Sequence, residues 1–186
     1  SLDVEPGEMV TLAGRTGAGK STVFKLILGD YEPWAGTVRV WGVDAAQLAP
    51  QARRRFVGHV DQAFRAVPGT VADQITLGDP NISREEMAQA AQLAGIGAAL
   101  EALPQGYDTP YAEGLLSQGQ TQLLSIARAV AANPKLLLLD EITANLDSGT
   151  EQQVMEALRR ASQNRAVLSI SHRLYEQSGQ GRIVQI

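Results

Sequence analysis

Apolar residues along this chain follow two different rhythms, and the change from one to the other marks its parts. "MVTLAG" (9–14) is a short unbroken apolar run that stops at glycine, which predicts a buried strand. "KSTVFKLILG" (20–29) sets Val23, Leu26 and Ile27 at helical spacing and ends on Gly29, a common helix terminator. "TVRVWG" (37–42) alternates apolar and polar positions, as a half-exposed antiparallel strand does, and "RFVGHVDQ" (55–62) predicts another strand. The pattern then turns helical. "ISREEMAQAAQLAGIGAALEALPQG" (82–106) is alanine-rich; Ser83 and Glu86 have capping-box spacing, and Ile82 and Met87 that of a hydrophobic staple. A second helix is expected from about Gln118 to Ala132, with Leu123, Ile126, Ala127 and Val130 on one face and Asn133-Pro134 as its stop. "KLLLLDE" (135–141) predicts a central parallel strand buried on both faces. Ser148 and Glu151 have capping-box spacing ahead of a helix that turns Val154 and Leu158 inward; "AVLSISH" (166–172) and "GRIVQI" (181–186) complete the strands.

Strands alternating with helices at both ends imply an α/β fold with a parallel sheet. The expected organisation is a single domain over 1–186. Residues 1–62 and 134–186 would form an α/β core with a small antiparallel β subdomain, and 63–133 an inserted α-helical subdomain. There is no internal repeat. The 186 residues suffice for one such core. A net charge of −4 argues against a general nucleic-acid binder, and the run Arg53-Arg54-Arg55 reads as a solvated face. Without cysteine, neither a disulfide framework nor a thiolate metal site can form. No apolar run approaches the roughly eighteen residues of a membrane-spanning helix. The chain opens in strand-like sequence at Ser1, so it reads as a piece of something longer, with any membrane part elsewhere.

The chemistry begins where the first strand meets the first helix. Gly14-Arg15-Thr16-Gly17-Ala18-Gly19-Lys20-Ser21 fits G-x-x-x-x-G-K-[ST] in that strand–helix context, which marks a P-loop. Glycines let the backbone curl into a nest of inward N–H groups, and the helix start adds its positive dipole end. Lys20 would reach the β- and γ-phosphates of a nucleotide, Thr22 would continue the phosphate-binding turn, and the Ser21 hydroxyl would ligate Mg²⁺. At the far end of "LLLL", Asp140 and Glu141 stand where α/β sheets bind ligands. Asp140 is the expected metal ligand, and Glu141 can orient or deprotonate the water that attacks the γ-phosphate. His172 ends the next strand and is placed to donate a hydrogen bond to that phosphate. Gln62 offers a neutral amide to Mg²⁺ or to the attacking water. His59, mid-strand, reads as structural, and Trp34 and Trp41 as packing residues.

A P-loop, then Gln62, "LSQGQ" (116–120), "LLLLDE", "ANLD" (144–147) and His172 form an ordered set that resembles the ATP-binding cassette (ABC) ATPases over nearly the whole chain. "VPGTVADQITLGD" (67–79), "LPQGYDTPYAEG" (103–114) and "SHRL" (171–174) are similar to the exporter-type cassettes. The resemblance implies a RecA-like P-loop NTPase core with ATP and Mg²⁺ as cofactors. It implies head-to-tail pairing with a second cassette, identical or divergent, and transmembrane domains fused upstream, at the cytoplasmic face of the cell membrane. In such a pair Ser117, Gln118, Gly119 and Gln120 act on the nucleotide held by the partner's P-loop, and Asp147 lies at the same junction. The family's adenine-stacking aromatic would precede Ser1. Gln118 departs from the commoner glycine, Thr121 from a basic or amide residue, and Ala144-Asn145 from the usual small pair. Two further readings stand beside an export ATPase: a soluble cassette acting on ribosomes or DNA, and a regulatory nucleotide binder with little turnover.

Overall fold

The computed structural model describes residues 2–140, 146–170 and 181–186. Among these, the first strand, β1 (Met9–Ala13), is buried almost throughout and leads through the glycine-rich turn into α1 (Lys20–Ile27). β2 (Arg39–Val40) and β3 (Val43–Asp44) form an antiparallel hairpin. The expected strand over 37–42 is cut short there, because Trp41 and Gly42 take positive φ of 48° and 79° and turn the chain back on itself. The short helix α2 (Pro50–Arg53) and strand β4 (Val57–Val60) follow.

Four helices then succeed one another: α3 (Val71–Thr76), α4 (Arg84–Leu93), α5 (Gly97–Glu101) and α6 (Gln118–Val130). The single helix expected over 82–106 is two, because Gly95 at φ 78° closes α4. Its N–H donates to Gln92 O and that of Ile96 to Ala91 O, while the Ile96 side chain is buried beyond the turn. β5 (Leu136–Leu139) is buried along its whole length, as four consecutive leucines require. α7 (Ser148–Ser162), β6 (Ala166–Ser169) and β7 (Arg182–Gln185) complete the described chain.

The five-stranded sheet has the order β4-β5-β6-β1-β7, with β1 parallel to β6 and β7 and β5 parallel to β6. Thr11, Ser169 and Leu139 lie level across three strands, so the carboxyl ends of β1, β6 and β5 share one edge. Val10, Leu12, Phe24, Ile27, Leu136, Leu138 and Leu168 pack into the core of this part.

The chain divides into two compact units. One comprises Ser1–His59, Asn133–Asp140 and Asn164–Ile186; the other Val60–Ala132 and Glu141–Gln163. In the second, α6 packs on α3, α4 and α7. α7 belongs to this second unit. Arg128 of α6 straps that unit's leading segment: its guanidinium donates to Gln74 O (2.5 Å), Gln74 Oε1 (3.3 Å) and Arg65 O (2.8 Å) and lies 4.1 Å from the Phe64 ring centroid.

Candidate nucleotide site and signature turn

The loop from Gly14 to Gly19 is shaped by two left-handed glycines, Gly17 (φ 84°) and Gly19 (φ 99°), with an Ala18 N–H to Arg15 O turn between them. A residue with a β-carbon is strained in that region, so the spacing of these glycines sets the curl. Gly14 has a different constraint: an added methyl would lie 2.8 Å from Ile186 O. Lys20 folds back over the loop, donating from Nζ to Gly14 O (2.8 Å) and Arg15 O (3.1 Å). Arg15, Thr16, Gly17, Ser21 and Thr22 are exposed, and Ala18, Gly19 and Lys20 half-buried. α1 starts at Gly19 with no side chain capping it. The N–H groups of its first turn have no intrahelical acceptors, so an anion can take them. The helices α3, α4, α6 and α7, by contrast, are each closed by a side chain of their own, from Thr70, Ser83, Ser117 and Asp147.

Asp140 follows β5 on the same sheet edge as the P-loop and is half-buried. Ser21 and Asp140 are hard oxygen donors of the kind Mg²⁺ takes, and the loop's N–H groups with the Lys20 ammonium suit a polyphosphate. The donor set thus fits a magnesium nucleotide. Among the described residues no group of three or more acidic, histidine or cysteine side chains could hold a metal ion. Glu141 and His172 lie outside the described residues, as do Ala144, Asn145 and the "SHRL" stretch. Gln62 is exposed in the helical unit, where its backbone carbonyl accepts the buried Gln122 amide at 3.4 Å.

The second group of expected site residues is built by α6 and α7. Ser117 caps α6: its Oγ accepts the Gln120 N–H (3.2 Å), and Gln120 Oε1 accepts the Ser117 N–H (2.9 Å). An oxygen used as acceptor leaves its own O–H to donate elsewhere. Ser117 and Gln118 are exposed, Gln120 half-buried and Gly119 buried. Asp147 caps α7, with Oδ1 accepting from Gly149 N (3.1 Å) and Thr150 N (3.0 Å). The cap expected at Ser148 with Glu151 therefore sits one residue earlier, because a carboxylate is the stronger acceptor at a helix start. Hydrogen bonds from the Thr150 side chain first, then from backbone N–H groups, hold the Asp147 carboxyl below the usual carboxylate range.

Other expectations sort plainly. His59 packs edge-on against Phe24, centroids 5.9 Å apart, as a structural histidine. Arg53 is no solvated arginine: it donates to Ala45 O (3.0 Å) and Leu48 O (2.7 Å), holding the turn before α2. Trp34 does not pack; it is fully exposed, and nothing described in the structure explains that. Trp41 is also exposed, with the Lys135 ammonium 5.7 Å from its ring centroid. α3 has no counterpart among the elements expected from sequence, although Thr70 and Asp73 carry the capping-box spacing that announces it.

Residues 1–144 match the family model described as ABC transporter. The chain belongs to the ABC transporter family. It is a nucleotide-binding cassette of that family. It is 42% identical over 179 residues to mouse "ATP-binding cassette sub-family B member 10, mitochondrial", with 94% of this chain and 25% of the relative covered. It is 43% identical to "Mycobactin import ATP-binding/permease protein IrtA" of Mycolicibacterium smegmatis, covering 94% and 20% respectively. Among solved structures, a bacterial Atm1-family ABC exporter with ATP bound matches all of this chain and 33% of that one, at 37% identity and a TM-score of 0.82. The ABC cassette thus spans about a quarter of the curated relatives it matches. No helix of the described residues is long and apolar enough to cross a membrane.

Proposed function

We propose that the cassette hydrolyses ATP to power export by membrane domains, and that it does so as one of a head-to-tail pair. The observation that carries the reading is the uncapped start of α1, with Lys20 folded over a glycine nest, in a chain of this family. Gly14 to Thr22 hold the phosphates: backbone N–H groups take the oxygens, and Lys20 leaves the loop carbonyls to neutralise the β- and γ-phosphates. Ser21, Asp140 and Gln62 would hold Mg²⁺, which would supply charge neutralisation at the phosphate oxygens. Glu141 takes the proton of the attacking water, and His172 donates to the γ-phosphate.

Ser117, Gln118, Gly119 and Gln120 of the partner complete the site, with Asp147 at the same junction. The Ser117 cap supports this, since its hydroxyl proton remains for a second acceptor. Export rather than import rests on the exporter-like segments and the Atm1-family likeness; the mycobactin relative, whose name says import, leaves direction to the membrane part. The helical unit and the segment after Gln62 are the proposed contact with that part, at the cytoplasmic face of the membrane. Lys20→Ala tests the foundation. Calorimetry should find ATP bound about a hundredfold more weakly, the order expected for loss of charge-assisted phosphate contacts. Unchanged affinity would overturn the P-loop assignment.

A further inference from the structure

Gly119 is a glycine for a reason unlike that of the P-loop glycines. Gly17 and Gly19 have positive φ, and a methyl built on either meets nothing within 4 Å. Their requirement is conformational, and the space above them is open. Gly119 sits in the first turn of α6 with ordinary backbone, so any residue could adopt its φ. A methyl built there would instead overlap Thr150 Cγ2 and come within 3.5 Å of Thr150 Cβ. The residue that fills this space belongs to α7 of the same chain, in the same helical unit.

Thr150 cannot swing away cheaply. It is β-branched, and in a helix its χ1 is confined to few rotamers. Its N–H donates to Asp147 Oδ1 at 3.0 Å, and its hydroxyl bonds the same carboxylate. Rotating the methyl off Gly119 would therefore pull the hydroxyl off Asp147. One small side chain thus joins the turn that starts α6 to the cap that starts α7.

We propose that Thr150 is a positioning residue that fixes the Ser117–Gln120 turn and the Asp147 carboxylate as one rigid pair, and that its methyl group is what makes glycine obligatory at 119. The proposal rests on the reading above that both turns serve a partner's nucleotide. Its stability half is independent of that reading.

The test uses Gly119→Ala, Thr150→Ser, the double variant, and Gly119→Ala with Thr150→Val, each in the full-length protein. Thr150→Ser keeps the hydroxyl and removes the methyl; Thr150→Val keeps a methyl and removes the hydroxyl. Gly119→Ala should lower the melting temperature by about 5 °C, as overpacking does. It should also lower kcat about tenfold through displacement of the turn, with affinity for a fluorescent ATP analogue within about twofold of wild type. Adding Thr150→Ser should restore both melting temperature and kcat, whereas adding Thr150→Val should restore neither. Additive melting shifts would overturn the contact, and a kcat that stays low despite restored stability would overturn the positioning role. A coupled melting shift with kcat indifferent to Gly119→Ala would instead sink the partner-site reading.

Discussion

Asp73 and Asp147 each hold a helix start from a surface position, and their carboxyls carry the same signature. Asp73 accepts from the Thr70 N–H (2.7 Å) and hydroxyl (2.8 Å), and these bonds, the backbone one foremost, lower its pKa. A folded pKa below the unfolded one stabilises at pH values above the unfolded value, near 3.9, and the stabilisation is lost as pH falls through the folded value. Asp73→Asn should therefore flatten part of the acid limb of melting temperature against pH, below about pH 5. Curves that run parallel to wild type would contradict the cap. Single residues also set the limit of what could be read in advance. The P-loop was legible because its chemistry forces a fixed spacing of glycines and lysine. Thr150 was not, since its meeting with Gly119 joins residues far apart in the chain with no local period to betray it. Trp34 departs from the rule that large apolar rings are buried.

Helices and strands were legible wherever one period ran unbroken, as in α6, α7 and the four leucines of β5. Misreadings came where a backbone turn overrode a continuing pattern. Gly95 splits one alanine-rich stretch into α4 and α5, and the Trp41-Gly42 turn makes a hairpin out of what reads as one strand. A tryptophan at positive φ is rare enough that no turn rule announces it. The strap between α6 and the segment after Gln62 was also invisible, because one arginine serves three acceptors distant in sequence. Arg128→Ala should strip the Gln74 and Arg65 carbonyls of their donor, at about 2 kcal/mol or about 4–8 °C in melting temperature. Amide exchange should speed up across 64–74 more than in β5; uniform protection would show that the strap is not what holds that segment.

Across the chain, the described residues gather the proposed chemistry into two groups. The P-loop and Asp140 lie at one sheet edge, and Ser117–Gln120 with Asp147 lie at two packed helix starts. Glu141 is the residue on which turnover, as opposed to binding, is proposed to depend. Glu141→Gln should cut ATP hydrolysis by about a hundredfold or more, the scale of a lost general base, while leaving ATP affinity unchanged. A variant that turned over at the wild-type rate would remove Glu141 from the reaction. The capping of α6 has one more implication. Since Ser117 and Gln120 already bond one another's backbone N–H groups, the turn has its shape before anything docks on it. Whatever meets that turn encounters a preorganised surface, so little conformational entropy remains to be lost on association, and contact energy goes more fully into affinity.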